Sequence, residues 1–215
     1  MRPIYLISKT SHKNGYGVIH VPILSISFLH PPIDFNSYDG LIITSKEGAR
    51  ALQNYTLEWQ KLNIVCVGEA TANEIRRLGG VHITVAAGYG DSIVDVLKNQ
   101  ERRWLYLRPR SIASSWPQYA RDMGNKIDEV VIYETTCNES RQTVEIATDG
   151  ILIFTSPSSI ECFLKKYDFL PTNDVVCIGT TTQKALPQGV SYILSDETSV
   201  ASCIEKAKSL SFLSL

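Results

Sequence analysis

The sequence predicts an α/β protein made of two similar parallel-sheet domains that arose by internal duplication. Three observations carry that expectation. Residues 39–71 run DGLIITS, a helical stretch, then IVCVGEAT, and residues 149–182 repeat the plan as DGILIFTS, a helical stretch, then VVCIGTTT. The two copies keep an offset of 111 residues at Ser45/Ser156, at Gly68/Gly179 and at Thr71/Thr182. Two patterns held at one offset point to duplication far more than a single shared pattern would. Finally, apolar runs of strand length alternate with helical stretches, the arrangement of parallel sheets covered on both faces.

In chain order, residues 3–8 form an apolar run expected as a buried strand, and the polar, Gly-containing residues 9–17 a loop. Residues 18–28 are extended, with Pro22 unable to donate a central-strand hydrogen bond. His30, Pro31 and Pro32 break the chain before the first repeat unit. Residues 41–44 are a strand, and Ser45 caps a helix through Ala49 and Leu52. After a strand at 64–67, Gly68 permits a tight exit and Thr71 with Glu74 has capping-box spacing for a helix to Leu78, stopped by Gly79 and Gly80. A strand at 81–85 follows, then Asp91 and Ser92 before a helix with Ile93, Val94, Val96 and Leu97 apolar.

The second round opens with a strand at 104–107, matching 4–7, then a helix near 115–123 and an extended stretch at 130–135. A strand at 151–155 leads to Ser156 and Pro157, a cap followed by proline at the first helical position; Ser158 and Glu161 offer a second capping-box spacing. Residues 175–178, Gly179 and the threonines 180–182 repeat the strand–glycine–cap plan, with a helix through Ala185 that Gly189 ends. Residues 192–194 are the last strand, and Thr198 with Ser199 opens a terminal helix. The residues by themselves leave open whether the two units are sequential or interleaved.

Composition narrows the function classes. With 215 residues, 44% hydrophobic and 20% charged, the chain matches ordinary globular proteins. A net charge of −1 gives no whole-molecule attraction to nucleic acid or to a membrane surface. Five cysteines, odd in number and without CxxC or zinc-type spacing, predict buried thiols in a reducing cytoplasm and no disulfide framework. The N-terminal apolar run is too short for a signal peptide, so a cytoplasmic protein is expected.

No Walker loop, HExxH, GxSxG or zinc signature occurs, and Gly88-Tyr89-Gly90 lacks the third glycine of a dinucleotide fingerprint. His12, His20, His30 and His82 are scattered without triad partners. Hydroxyls and amides at helix starts remain. Singly they read as caps, but as a matched set they suit carboxylates or phosphates. Arg108 and Arg110, just after a strand, offer carboxylate clamps or else plain surface charge. Tyr133, on the extended stretch between the repeat units, is either a buried connector residue or a proton donor or acceptor in a cleft.

The motifs DGLIITS…VGEATA, LYLRP, VVIYET, GILIFTSPSS and CIGTTT, in this order, resemble the uroporphyrinogen-III synthase family over residues 21–199. That resemblance implies two α/β domains, one discontinuous at residues 1–20 and 138–215 and the other at 29–129. Extended linker strands at 21–28 and 130–137 would join them, with the active-site cleft between them. It implies a hydro-lyase reaction: hydroxymethylbilane, a linear tetrapyrrole polycarboxylate, closes to uroporphyrinogen III with loss of water and inversion of the D ring. No cofactor and no metal are expected, nor a nucleic acid or membrane partner, and the protein is expected to act as a monomer.

Residue by residue, the family's functional positions fall on Tyr133 as catalytic acid and on Ser45, Thr71, Ser156, Thr181 and Thr182 as substrate-binding groups, with Arg108 added as a carboxylate contact. Three departures stand out. A loop replaces the helix that relatives carry after the first strand, Glu47 stands where they often have Asn or Arg, and Asp91 replaces a neutral residue. A carboxylate at Glu47 would repel the substrate unless it points away. Without the family pattern, the same groups describe a two-domain binding or sensor protein for an anionic small molecule.

Overall fold

The computed structural model describes residues 1–9, 17–87, 90–98, 100–112, 114–140 and 144–212, with residues 90 and 91 as backbone only. The chain runs β1 (Ile4–Ser8), β2 (Val18–Pro22), β3 (Leu24–Phe28), β4 (Gly40–Ile43), α1 (Lys46–Ala51), β5 (Asn63–Val67), α2 (Glu69–Arg77), β6 (His82–Ala86) and α3 (Gly90–Leu97). It continues through β7 (Arg103–Pro109), α4 (Trp116–Asp122), β8 (Lys126–Cys137), β9 (Ile151–Phe154), α5 (Pro157–Phe163), β10 (Asp174–Cys177), α6 (Thr180–Gln183), β11 (Ile193–Leu194) and α7 (Val200–Phe212). Short 3₁₀ segments at Phe35–Ser37, Leu52–Asn54 and Leu57–Lys61 are not expected from the sequence.

Two compact units result. One is Met1–Ile26 with Thr136–Leu215, the other Ser27–Thr135. The first unit's sheet has the order β11-β10-β9-β1-β2, and the second sheet β6-β5-β4-β7-β8 with β3 added beside β8. Pairings within β11-β10-β9-β1-β2 and within β6-β5-β4-β7-β8 are parallel throughout. The two orders are the same once β1 is matched to β7, β2 to β8, and β9 and β10 to β4 and β5. The duplication written in the sequence is therefore also a duplication of topology.

The strand runs are apolar at almost every position because both faces of each sheet are covered. In β1, Ile4 and Leu6 face one cluster with Ile204 and Ala207 of α7, while Tyr5 and Ile7 face the other with Ile160 and Phe163 of α5. In the second unit Ile42, Val65, Trp104 and Tyr106 pack with Ile93 and Leu97 of α3 and with Trp116 and Ala120 of α4. Each such fully buried side chain stabilises its unit by about 1.5–3 kcal/mol. Pro22 sits at the end of β2, the edge strand of its sheet, where a missing N–H costs no ladder bond.

Gly40 marks a close approach. A Cβ there would lie 2.3 Å from Cζ3 of Trp104 on the neighbouring strand and 2.8 Å from the Asn63 carbonyl oxygen. Gly150 meets the Tyr5 ring in the corresponding way, at 2.8 Å from Cε2. Because Trp104 is buried and cannot withdraw, Gly40→Ala is expected to destabilise the second unit by about 1–3 kcal/mol. Urea unfolding followed by circular dichroism checks this, and an unchanged midpoint would contradict it.

Several expectations are corrected. The helix α2 starts at Glu69 with Gly68 as its N-cap, so Thr71 is the third helical residue and not a capping residue. Gly68 at φ +76° turns the chain early enough for the helix to begin before the threonine. The capping box of α5 joins Ser156 to Ser159, and Ser158 with Glu161 plays no such part. The helix after Gly179 is only four residues long.

The cysteine expectation is also corrected, since Cys137 and Cys162 form a disulfide with their Cα atoms 5.2 Å apart. Cys137 ends β8 and Cys162 lies in α5, so packing brings together two residues that sequence spacing does not pair. Cys66, Cys177 and Cys203 are buried free thiols. Burial pushes the Cys66 thiol up to about 11 and the Cys177 thiol up to about 12, which keeps both protonated and inert. Of the loop expected at 9–17, residues 10–16 lie outside the described residues, as does the Asp91 side chain. Among the described residues no helix is long and apolar enough to cross a membrane.

Candidate active site

The carboxyl ends of parallel strands are where such sheets place ligands, because helix starts and irregular backbone collect there. In the second unit, β4 delivers Thr44 and Ser45 to that edge. The Ser45 Oγ accepts a hydrogen bond from Gly48 N at 3.0 Å, the N-cap of α1 that the sequence predicts. The same Oγ lies 2.7 Å from the Tyr133 phenol oxygen, 88 residues away in the chain. Next to this pair, Thr44 Oγ1 lies 3.0 Å from the phenol oxygen of Tyr106.

Tyr133 reaches this position through an irregularity in β8. Arg108 pairs with Val131 but Pro109 pairs with Tyr133, so Ile132 is an extra residue in the ladder. The insertion leaves consecutive residues, Ile132 and Tyr133, both buried. Bulges of this kind re-aim side chains beside functional sites. The Ile132 carbonyl accepts from Leu29 N at 2.8 Å and the Tyr133 carbonyl from Arg110 N at 2.9 Å, so the backbone remains satisfied across the irregularity.

The two phenols border a cavity of about 290 Å³ lined also by Val67, Pro109, Ile112 and Trp116. Burial pushes the Tyr133 phenol above its ordinary value; the Ser45 hydrogen bond opposes this, and the neighbouring Tyr106 and Glu47 add to it. Burial raises Tyr106 as well, with Thr44 opposing. Both are therefore neutral proton-bearing phenols at physiological pH. Burial thus keeps the proton on both phenols at neutral pH, so each is available as a proton donor, though a weaker acid than an exposed tyrosine, and not as a base.

The other expected residues are placed as follows. Thr71 is buried at 5% exposure in α2, which follows β5, the neighbour of β4. Arg108 turns onto Glu129, with Nε 2.7 Å from Oε2, and donates to the carbonyls of Pro109 and Arg110. Glu129 also pairs with Arg121, so the Arg108 charge is already partly matched. Arg110 is exposed and bonded to Glu134 at 2.5 Å. Glu47 is buried at 7% exposure and paired with Arg50 at 3.0 Å. Arg50 Nε also lies 3.6 Å from Glu74, whose carboxyl is held below the usual range chiefly by its hydrogen bond to Arg77. The Glu47 charge is thus balanced within the α1–α2 pair.

In the first unit, Ser156 Oγ accepts from Ser159 N at 3.2 Å and lies 3.1 Å from Ser158 Oγ. Thr182 is buried and Thr181 exposed, both in α6. The structure thus brings Ser45 and Tyr133 into direct contact and puts Thr71 one strand away. Ser156, Thr181 and Thr182 form the corresponding set of the other unit. Tyr106 and Trp116, with ring centroids 4.8 Å apart, are not expected as site residues from the sequence. A signal is present there, since a tyrosine inside a fully apolar strand needs a polar partner for its hydroxyl.

Comparison with known proteins bears on the fold and the family. The crystal structure of a uroporphyrinogen-III synthetase from Helicobacter pylori 26695 matches with a TM-score of 0.80 at 24% identity, covering 98% of this chain and 100% of that one. A mutant uroporphyrinogen III synthase from the extremely thermophilic bacterium Thermus thermophilus matches with a TM-score of 0.58 at 13% identity, covering 98% of each chain. These likenesses establish the fold. No match was found among curated protein sequences. The family model for uroporphyrinogen-III synthase HemD, however, matches residues 7–205, which include both copies of the repeat and the strand carrying Tyr133. On that match, over nearly the whole length, the chain belongs to the uroporphyrinogen-III synthase family.

Proposed function

We propose that the chain cyclises hydroxymethylbilane to uroporphyrinogen III, with Tyr133 as the proton donor. The observation that carries the assignment of Tyr133 is the 2.7 Å contact between its buried phenol and Ser45 Oγ. With Ser45 donating to the phenol oxygen, the phenol proton is free to point at substrate. The hydroxymethyl C–O bond breaks as the pyrrole nitrogen lone pair pushes toward the departing oxygen. The Tyr133 proton goes to that oxygen and water leaves. The resulting azafulvenium cation, its pyrrole N–H retained, is attacked by the D-ring carbon that already bears the link to ring C. The spiro-pyrrolenine so formed fragments and recloses with ring D inverted, and the proton lost on rearomatisation restores the phenol.

Ser45, Thr71, Ser156, Thr181 and Thr182, with nearby amides, are proposed to hold the carboxylates in the folded conformation. This positioning matters because free substrate closes spontaneously to the uninverted isomer, so the rate advantage must come with an orientation. Arg108 is proposed as a further carboxylate contact, which requires its guanidinium to exchange one of its present bonds to Glu129 or to the Pro109 and Arg110 carbonyls for substrate. A monomeric state, a cytoplasmic location and the absence of nucleic-acid or membrane partners belong to the same proposal. The near-zero net charge supports the last of these, since it gives no whole-molecule attraction to nucleic acid or an anionic membrane.

The experiment supplies hydroxymethylbilane to the purified protein and separates the porphyrinogen isomers after oxidation. The expected product is the type III isomer in excess. Type I alone, at the rate of the protein-free control, would remove this reading.

A further inference from the structure

The cavity beside Tyr133 has a chemistry that the carboxylate-holding groups do not explain. Among the described residues lining it, none has a charged side chain. Tyr106 and Trp116, whose rings meet at 58° with centroids 4.8 Å apart and are otherwise buried in the core, line it together with Val67, Pro109, Ile112, Ser111 and Ser114. The hydroxyls that reach it from one edge are the Thr44–Tyr106 and Ser45–Tyr133 pairs, at 3.0 and 2.7 Å. A carboxylate placed there would lose its hydration without gaining a cation, which is costly. At about 290 Å³ the space lies at the lower limit of ligand pockets, far below the room a whole tetrapyrrole would need.

We propose that this cavity seats one pyrrole ring of the linear tetrapyrrole, the terminal ring bearing the hydroxymethyl group, between the Tyr133 phenol and the apolar lining. The inference rests on the proposed cyclisation and specifies which part of the substrate meets the acid. A pyrrole ring packs well against apolar and aromatic side chains. When the C–O bond breaks, positive charge spreads over that ring, and a lining whose described residues include no cationic side chain does not oppose it. The seat therefore admits the dissociating state while its edge presents the Tyr133 proton to the leaving oxygen. Tyr106 is a specificity-determining residue in this scheme, held in place by Thr44.

Two measurements test the proposal. The first places a side chain in the mouth of the cavity from an exposed position, with Ser114→Phe, and with Ile112→Phe as a second variant should the first fail to fold. A folded variant is expected to lose about 100-fold in kcat/KM for hydroxymethylbilane, the scale of a displaced reacting group. A folded variant with wild-type kcat/KM would overturn the seat. The second titrates the wild-type protein with 2-methylpyrrole, a neutral single ring, while following tryptophan emission. Of the three tryptophans, Trp116 is the one that lines this cavity, so it is the indole that a ring there would touch. A saturable emission change that Ser114→Phe abolishes is expected, and no saturable change in wild type would overturn the proposal. If wild-type protein made only the type I isomer, the cyclisation reading would fall, and the 2-methylpyrrole titration would still decide whether the cavity takes a pyrrole.

Discussion

Replacing Tyr133 by Phe is expected to lower kcat for hydroxymethylbilane by about 100-fold, the lower part of the range for a positioned general acid. KM should change little, because the phenol acts on the departing oxygen and not on the carboxylates. The fold should survive. Ser45 keeps its N-cap bond from Gly48 N, and the loss of one hydroxyl contact costs about 1 kcal/mol. Steady-state kinetics with a thermal melt on the same preparation measure all of this. A well-folded Tyr133→Phe protein with wild-type kcat would remove Tyr133 as the acid, leaving only positioning to account for the rate.

The second large effect concerns stability. The Cys137–Cys162 disulfide closes a loop with a sequence separation of 25 residues. Loop-closure entropy for that length is worth about 3.5 kcal/mol, and a protein of this size should lose roughly 10 °C in Tm without it. The paired variant Cys137→Ser/Cys162→Ser is expected to show that loss, and so is wild type under reductant. Labelling under denaturing conditions without reductant should find three free thiols, those of Cys66, Cys177 and Cys203. Five labelled cysteines in freshly purified oxidised protein would contradict the bond.

What the sequence makes legible follows the range of each interaction. The strands and their repeat can be anticipated from the apolar runs and their common offset, since burial on both faces leaves a local mark on every strand. Ser45 and Ser156 are readable as caps because a cap depends on the next three residues. Thr71 misleads for the same reason: its spacing to Glu74 fits a box, but the positive φ of Gly68 starts the helix at Glu69. The disulfide and the Thr44–Tyr106 pair depend on tertiary packing, across separations of 25 and 62 residues, and no local rule reaches them. Tyr106 also sits in the buried middle of β7, where an aromatic residue looks like core until the partner of its hydroxyl is known.

The pH dependence of kcat tests the central claim, that a neutral Tyr133 phenol polarised by Ser45 delivers the proton. Burial raises this phenol above the ordinary tyrosine value, so its active, protonated form persists through neutral pH and is lost only at a pH above the pKa of an ordinary tyrosine. The account predicts that wild-type kcat, corrected for spontaneous cyclisation, shows no fall from this group below that pH. The alkaline fall above it should be missing in Tyr133→Phe. A wild-type kcat that instead rose as a group with a tyrosine-like pKa lost its proton, with that rise abolished in Tyr133→Phe, would make the phenolate the working form and contradict the account.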